Sequence, residues 1–206
     1  TTNIRNKMVY DFAAAAGMPY TPQCQWVDLY LNGEYAGVYL LCERIEVHPE
    51  RVDIPEAGSF LVTKDWEWRF EAQGNTYIQT NSKAALRIRH GDMTIAQLQS
   101  IWQSAENAIL AEDGIDPVTG KSWQDLIDME SWANKILIEE IFGNTDGVSL
   151  SQYFYLDGSR QDGRICAGPV WDYDLTMGKE PNRFYTNKAG VYGSHWYYAL
   201  FQKTEF

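Results

Sequence analysis

The spacing of apolar residues near the start of the chain predicts an amphipathic helix over Asn3–Ala16. Its apolar residues recur three and four positions apart, which places their side chains on one face of a helix. Gly17 can adopt the left-handed conformation that ends many helices, and Pro19 lies just beyond it. The residues expected on the buried face are Met8, Val9, Phe12, Ala13 and Ala16.

Runs rich in β-forming residues follow this helix. Gln25–Leu31 and Glu34–Arg44 are joined by Asn32-Gly33, a pair that tolerates the positive φ values of a two-residue hairpin turn. Gly37 inside the second run predicts a β-bulge or a close backbone approach. Further strands are expected at Ser59–Lys64 and Ala84–Arg89, with an aromatic, polar loop between them that contains Trp66, Trp68, Phe70 and Tyr77.

Helical patterns dominate the chain from Thr94 onwards. Thr94-x-x-Gln97 has the spacing of a capping box, and Ser122-x-x-Asp125 opens a shorter second helix. A third helix is expected to begin at Asp128 or Ser131. The expected core faces comprise Ile95, Leu98, Ile101, Trp102, Ala105 and Ile109 in the first of these helices, and Trp132, Ile136 and Ile141 in the third.

This order of elements predicts an α+β fold in one domain. Residues 1–92 are expected to form an N-terminal antiparallel sheet, and residues 93–206 a helical part that carries a β-hairpin. The two strands of that hairpin are predicted at Gln152–Leu156 and Arg164–Val170. The chain starts directly in a helical pattern and ends without a stop signal, so we expect it to be part of a longer protein at both ends.

Composition narrows the class of protein. With 206 residues, 45% of them hydrophobic and 14% aromatic, the chain is long and apolar enough to build a sizeable core. Its formal net charge of −11 argues against nucleic acid as a partner, since such binders carry a basic face. No apolar run is long enough to predict membrane insertion.

The three cysteines, Cys24, Cys42 and Cys166, lack the spacing of zinc ligands. Free thiols are the favoured interpretation, and a Cys24–Cys42 disulfide is the alternative.

Three aspartates follow the third predicted helix, one before the predicted hairpin and two after it. Asp146 lies in a Gly/Asn-rich turn, the predicted hairpin follows, and Asp172 and Asp174 flank a tyrosine at its exit. Protein-kinase-like phosphotransferases place a catalytic base and a metal ligand in this order. Alternation along an extended strand would put Asp172 and Asp174 on one side, an arrangement that favours a bound cation. The alternatives are an ordinary turn aspartate at position 146 and a carboxylate pair hydrogen-bonded to backbone N–H groups.

Two motifs resemble those of the spore-coat protein H kinase family, the CotH-like proteins. The first is YLNGEYAGVYLLCERIEV at Tyr30–Val47. The second consists of three segments between Gly143 and Gly178, which read, in order, N-x-D, S-Q-Y-F-Y-L-D and G-P-V-W-D-Y-D-L-T-M-G. The motifs stand in the family's order about a hundred residues apart, and the resemblance covers nearly the whole chain. It implies an atypical protein-kinase-like fold.

The resemblance also implies roles for individual residues. Asp146 would be the catalytic residue, and Asp172 the principal ligand of Mg²⁺ or Mn²⁺, with Asp174 in support. Protein kinases use an asparagine shortly after the catalytic aspartate as a second metal ligand; here Gln152 is the candidate, on a longer side chain. The candidates for binding ATP are Lys64 and Arg89 as phosphate ligands, with Glu43 as the partner of the lysine. No Walker-type or G-x-G-x-x-G loop is present in the sequence.

Two classes of function follow from these observations. The first is an ATP-dependent phosphotransferase that phosphorylates Ser/Thr-rich segments of secreted, cell-surface or spore-coat proteins. The second is a non-catalytic extracellular module, either a pseudokinase or a carbohydrate- or protein-binding domain. The missing asparagine after Asp146 and the aromatic stretch Trp66–Phe70 favour this second class. A glycosidase built from two carboxylates and aromatic platforms also remains open, because eight Trp and thirteen Tyr are many for this length.

Overall fold

The computed structural model describes residues 4–144, 147, 149–178 and 195–206. The predicted α+β class is confirmed. The helices of the described residues are α1 (Ile4–Ala15), α2 (Glu67–Ala72), α3 (Ile95–Leu110), α4 (Trp123–Leu126), α5 (Met129–Phe142) and α6 (His195–Leu200). The strands are β1 (Cys24–Leu31), β2 (Glu34–Cys42), β3 (Phe60–Asp65), β4 (Tyr77–Gln79), β5 (Ala85–Gly91), β6 (Gln152–Leu156) and β7 (Cys166–Ala167).

The strands form two antiparallel sheets. β1 and β2 make a hairpin of their own, and the other five strands make one sheet in the order β4-β5-β3-β6-β7. The central strand β3 pairs with β5 on one side and with β6 on the other. Strands from both sides of the boundary predicted at residues 92 and 93 therefore share a sheet. The kinase-like arrangement of two lobes stays a prediction.

The first hairpin is confirmed in detail. Asn32 and Gly33 both have positive φ, at 52° and 86°, as a type I′ turn requires. The pairing register shifts opposite Gly37, whose φ is 113°, so the predicted bulge is present. Cys24 and Cys42 face each other across the base of this hairpin, and all three cysteines are free thiols.

The helix starts are confirmed, whereas several predicted core faces are wrong. The capping boxes at Thr94 and Ser122 are both formed, and the side chain of Asp128 caps α5. The exposed apolar residues that periodicity had assigned to the core are Met8, Phe12, Ala16, Ile95 and Ile141. In α1 the buried residues include Tyr10, which was not predicted. In α5 they include Lys135 and Glu139, two charged residues. Tyr10, Lys135 and Glu139 have polar partners inside the fold, which a hydrophobic pattern does not register.

Two further predictions differ from the structure. The loop expected around Trp66 and Phe70 contains the short helix α2, of which only Phe70 is buried. The strand expected over Arg164–Val170 is reduced to Cys166–Ala167. The backbone that follows contacts Asn6 and Tyr10 of α1 instead of extending the sheet.

The sheet is covered on both faces. One face packs its Phe60, Val62 and Phe154 against Trp102 and Trp196 in the largest hydrophobic cluster. The opposite face carries a smaller cluster around Leu61, Tyr153 and Tyr155. A third cluster joins α1 to α5 and to the segment after β7. No helix of the described residues combines the length and the apolar character needed to cross a bilayer.

Candidate functional site

The segment that follows β7 brings Asp172 to the surface in an uncommon backbone conformation. Asp172 has a φ of 66° and Ser151 a φ of 53°, values that few residues other than glycine adopt. The Ser151 hydroxyl donates a hydrogen bond of 3.0 Å to Asp172 Oδ2. Asp172 and Asp174 are both exposed, while Tyr173 between them is fully buried. Such conformations cluster at functional sites, where the surrounding structure has to hold them.

Helix α1 holds this segment through polar contacts. The Tyr173 N–H donates to Asn6 Oδ1 at 2.7 Å, and the Asp172 N–H donates to the Tyr10 hydroxyl at 3.4 Å. The Tyr10 ring also stacks on Trp171, with 6.2 Å between the ring centroids. Asn6 and Tyr10 are four residues apart and so lie on the same face of the helix. The first helix of the chain is therefore part of the support for Asp172.

A buried polar network supports the same segment from below. Lys135 and Glu139 form an ion pair one turn apart on α5, and both are almost completely inaccessible to solvent. The Tyr173 hydroxyl donates to Glu139 Oε1 at 2.7 Å, and Lys135 Nζ donates to that hydroxyl at 3.3 Å. Burial lowers the pKa of Lys135. The network ties α5 to the tyrosine between the two exposed aspartates.

Helix α5 ends shortly before Asp146 in the sequence. The helix ends at Gly143 in the left-handed conformation, and the next residue, Asn144, is buried. A side chain at Gly147 would overlap the Glu139 carboxylate and the Asn144 amide, so glycine allows a close approach there. Asp146 itself lies outside the described residues. Its predicted role stays a prediction.

Two of the other predicted residues are brought together. Lys64 on β3 and Gln152 on β6 are cross-strand partners, so their side chains share the face of the sheet that carries Trp196. Burial lowers the pKa of Lys64 to about 8, against the opposing charges of Glu106 and Asp65. Gln152 directly follows Ser151, whose hydroxyl donates to Asp172, but the side chains of Lys64 and Gln152 point to the other face of the sheet.

The remaining predicted residues lie elsewhere. Arg89 is on the opposite face of the sheet from Lys64, in a groove that also contains Thr63 and Arg87. Glu43 follows β2, and its carboxylate accepts a hydrogen bond of 2.8 Å from the Gln23 N–H. The acidic groups whose charges act on Lys64 are instead Glu106 and Asp65. The structure therefore does not bring Glu43 to Lys64, nor Lys64 and Arg89 into one pocket.

The residues present fit a divalent cation of the Mg²⁺ type. Asp172 and Asp174 supply exposed carboxylate oxygens, the ligand type that Mg²⁺ prefers. Gln152 is 1% exposed, and its Nε2 lacks a hydrogen-bond acceptor among the described residues; that donor suits a phosphate oxygen, whereas a cation would need the amide Oε1. Within the described ranges, no three His, Cys, Asp or Glu side chains converge as a metal site would require. Phosphate oxygens and water would have to complete the coordination, as is usual for Mg²⁺.

Sequence reasoning missed the residues that support this site. Asn6, Tyr10, Lys135 and Glu139 lie far from Asp172 in the chain, and each contact depends on tertiary packing. A Lys and a Glu four residues apart on a helix normally indicate a solvated pair. The one clue in the sequence is that two positions on the buried face of α5 carry charged residues instead of apolar ones.

Comparison with known proteins gives one family match. The family model described as CotH kinase protein matches residues 1–204 of this chain. No curated protein matches it. The matched range includes both motifs, the segment around Asp172 and every strand of the two sheets.

Proposed function

Because the chain belongs to the CotH kinase protein family, we propose that it transfers the γ-phosphoryl group of ATP to serine or threonine hydroxyls. The observation that carries the proposal is the contact between Ser151 and Asp172. This contact holds an exposed carboxylate in a left-handed backbone conformation at the start of β6, where Ser151 directly precedes Gln152, the cross-strand partner of Lys64. A nucleotide phosphate and a divalent cation need such a combination of cationic, amide and carboxylate groups.

In this proposal different residues bind the cation, bind the nucleotide phosphate and position Asp172. Asp172, with Asp174 and Gln152 in support, would hold the cation, which would supply positive charge to the phosphate oxygens. Lys64, the cross-strand partner of Gln152, is the proposed ligand of a nucleotide phosphate. The network of Lys135, Glu139 and Tyr173 keeps Asp172 in position.

The reaction requires little covalent chemistry from the protein. The acceptor oxygen attacks the γ-phosphorus and forms a new P–O bond, while the bond from that phosphorus to the β,γ-bridging oxygen breaks. ADP leaves with the electron pair of the broken bond. Asp146 orients the acceptor hydroxyl and accepts its proton. Proteins outside the cell, at its surface or in the spore coat are the proposed acceptors, in line with the family's name.

Transfer of labelled phosphate tests the proposal. We expect the protein, incubated with γ-labelled ATP, Mg²⁺ or Mn²⁺ and a Ser/Thr-rich acceptor, to label that acceptor. The Asp146→Ala variant should reduce the label by roughly 100-fold or more, the range for loss of a general base. Equal labelling by the two proteins would contradict the proposal.

A second candidate function rests on two aromatic residues at the start of α2, its N-cap Trp66 and Trp68 in its first turn. Trp66 and Trp68 are 50% and 62% exposed, which is unusual for tryptophan and suits a carbohydrate- or protein-binding surface. A non-catalytic module would bind glycans through these side chains and would not need Asp172. Glycan binding that is lost in Trp66→Ala and kept in Asp172→Asn would favour this candidate over the kinase.

A further inference from the structure

The hairpin of β1 and β2 stands apart from the main sheet. Among the described residues its two strands pair only with each other, whereas the other five strands share one sheet. Several of its large apolar side chains are exposed, including Tyr30, Leu31, Tyr35 and Leu41. A two-stranded hairpin of this kind is at best marginally stable in water on its own. The Asn32-Gly33 turn fixes one end of the hairpin, so a further constraint would add most at its base.

Two cysteines face each other at that base. Cys24 and Cys42 are cross-strand partners, and in the adjacent pair the Glu43 N–H donates to the Gln23 carbonyl oxygen at 3.0 Å. Because pairs alternate along an antiparallel ladder, Cys24 and Cys42 form a non-hydrogen-bonded pair, in which the Cα atoms lie about 4.5 Å apart. Disulfides span Cα separations of about 4.4–6.8 Å. The two thiols are also close enough for each to act on the pKa of the other. The backbone therefore already holds them at a separation that a disulfide can bridge.

The surroundings of the pair differ from those of the third cysteine. Cys24 and Cys42 are both half-buried, whereas Cys166 is 1% exposed. A small molecule in solution can therefore reach the pair and cannot reach Cys166. On its inner side the pair packs against the hydrophobic cluster that contains Tyr10 and Tyr173. The base of the hairpin thus rests on residues that also hold the segment around Asp172.

We propose that Cys24 and Cys42 are a site of oxidative modification, at which a small-molecule disulfide such as glutathione disulfide converts the two thiols into an intrachain disulfide. The new bond closes the base of the hairpin and fixes both strands where they pack on Tyr10 and Tyr173. Such a bond persists in oxidising surroundings, which include those outside the cell where the proposed acceptors are found. The inference depends on the contacts of the two cysteines and not on the proposed kinase function.

The reaction consists of two successive thiol–disulfide exchanges. Burial raises the pKa of both thiols, that of Cys42 to about 11, and the charge of Lys7 opposes this shift at Cys24. The Cys24 thiolate therefore attacks one sulfur of the small disulfide, and a small thiolate leaves with the electron pair of the broken S–S bond and takes up the proton that Cys24 lost. The Cys42 thiolate then attacks the Cys24 sulfur and displaces the second small thiolate, which takes up the proton of Cys42. Two protein thiols are oxidised, and one small disulfide is reduced to two thiols.

Oxidation of the native protein tests the proposal without depending on turnover. The fully reduced protein is equilibrated with glutathione disulfide, its remaining thiols are alkylated, and mass spectrometry of its peptides identifies the linked cysteines. We expect a Cys24–Cys42 link, with Cys166 left as a thiol. The Cys166→Ala variant should form the same link, and the Cys42→Ala variant should form no intrachain link. Oxidation in urea, where the fold no longer selects the partners, should link Cys166 as well.

Thermal unfolding provides a second measurement on the same samples. A link that closes a loop of about 15 residues should raise the melting temperature by about 5–10 °C over that of the reduced protein. The Cys42→Ala variant should melt at the same temperature in oxidising and reducing buffer.

Two results would overturn the proposal. One is native wild-type protein without a Cys24–Cys42 link, including the case in which that link forms only in urea or oxidation stops at a mixed disulfide with glutathione. The other is a link that includes Cys166 in the native protein. A protein that forms the Cys24–Cys42 link but transfers no phosphate contradicts only the proposed kinase function.

Discussion

Asp172 shows how far a single residue could be predicted. The order of the aspartates and the family resemblance single out Asp172, and the structure exposes it beside Ser151. Alternation along a strand was the expected reason for its direction, and that reason is wrong. Asp172 has a left-handed backbone, and α1 with its Asn6 and Tyr10 holds the segment in place. Contacts between residues more than 160 positions apart leave no local signal in the sequence.

The buried ion pair on α5 leads to a prediction at the same scale. Lys135→Met leaves the Glu139 carboxylate buried without its cation and should lower the free energy of unfolding by roughly 3–5 kcal/mol. Glu139→Gln should lower the free energy of unfolding by less. Burial already lowers the pKa of Lys135, so the unpaired amine can lose its proton and become neutral. The Lys135→Met/Glu139→Gln double variant should recover part of the loss. Denaturant unfolding of the wild-type protein, the two single variants and the double variant gives the coupling free energy between Lys135 and Glu139. Additive changes in the free energy of unfolding would show that the two residues are not coupled.

At the scale of elements, the local signals gave the helix starts and the hairpins. The capping boxes at Thr94 and Ser122 and the Asn32-Gly33 turn depend on residues within a few positions, so the sequence alone predicts them. Helix α2 lacks such a signal, since the side chain of Trp66 at its N-cap makes no capping hydrogen bond. The length of β7 depends on where its chain turns towards α1, which is a tertiary contact.

The connection between α3 and α4 depends on one buried carboxylate. Asp116 accepts hydrogen bonds from Ser104 and Thr119, both at 2.6 Å, and from Asn107 at 2.9 Å. Burial raises the pKa of Asp116, but these hydrogen bonds outweigh burial and hold it below its usual range. Since the folded-state pKa lies below the unfolded value, the stabilisation is complete above about pH 4 and is lost as the pH falls further.

We therefore expect Asp116→Asn to lower the free energy of unfolding by roughly 1–3 kcal/mol at pH 7. The difference from the wild-type protein should shrink as the pH approaches the folded-state pKa. Urea unfolding at pH 7 and at pH 3 measures both values. Asp113→Asn, at an exposed position in the same connection, is the matched control and should change little. A loss for Asp116→Asn that is the same at both pH values would refute the electrostatic explanation.

At the scale of the whole molecule, the α+β class and the family could be predicted, and the sheet topology could not. Predicting β3, β5 and β6 separately does not reveal that β6 pairs with β3. That pairing places Lys64 beside Gln152 and separates Lys64 from Arg89, two residues that the sequence had treated as ligands of one phosphate chain. Side-chain direction across a sheet depends on register, and a long-range register is not encoded in a local pattern.

The central claim is that Asp172 holds the cation of a Mg-ATP complex while Asp146 acts on the acceptor. Calorimetric titration of Mg-ATP into the wild-type protein, Asp172→Asn, Asp146→Asn and the exposed control Asp53→Asn tests it most directly. Asparagine tolerates the left-handed backbone of Asp172, so this variant should fold. We predict that Asp172→Asn weakens binding by roughly 1–3 kcal/mol, whereas Asp146→Asn and Asp53→Asn bind like the wild-type protein. An equal loss of affinity in Asp172→Asn and Asp146→Asn, or unchanged binding in Asp172→Asn, would contradict the account.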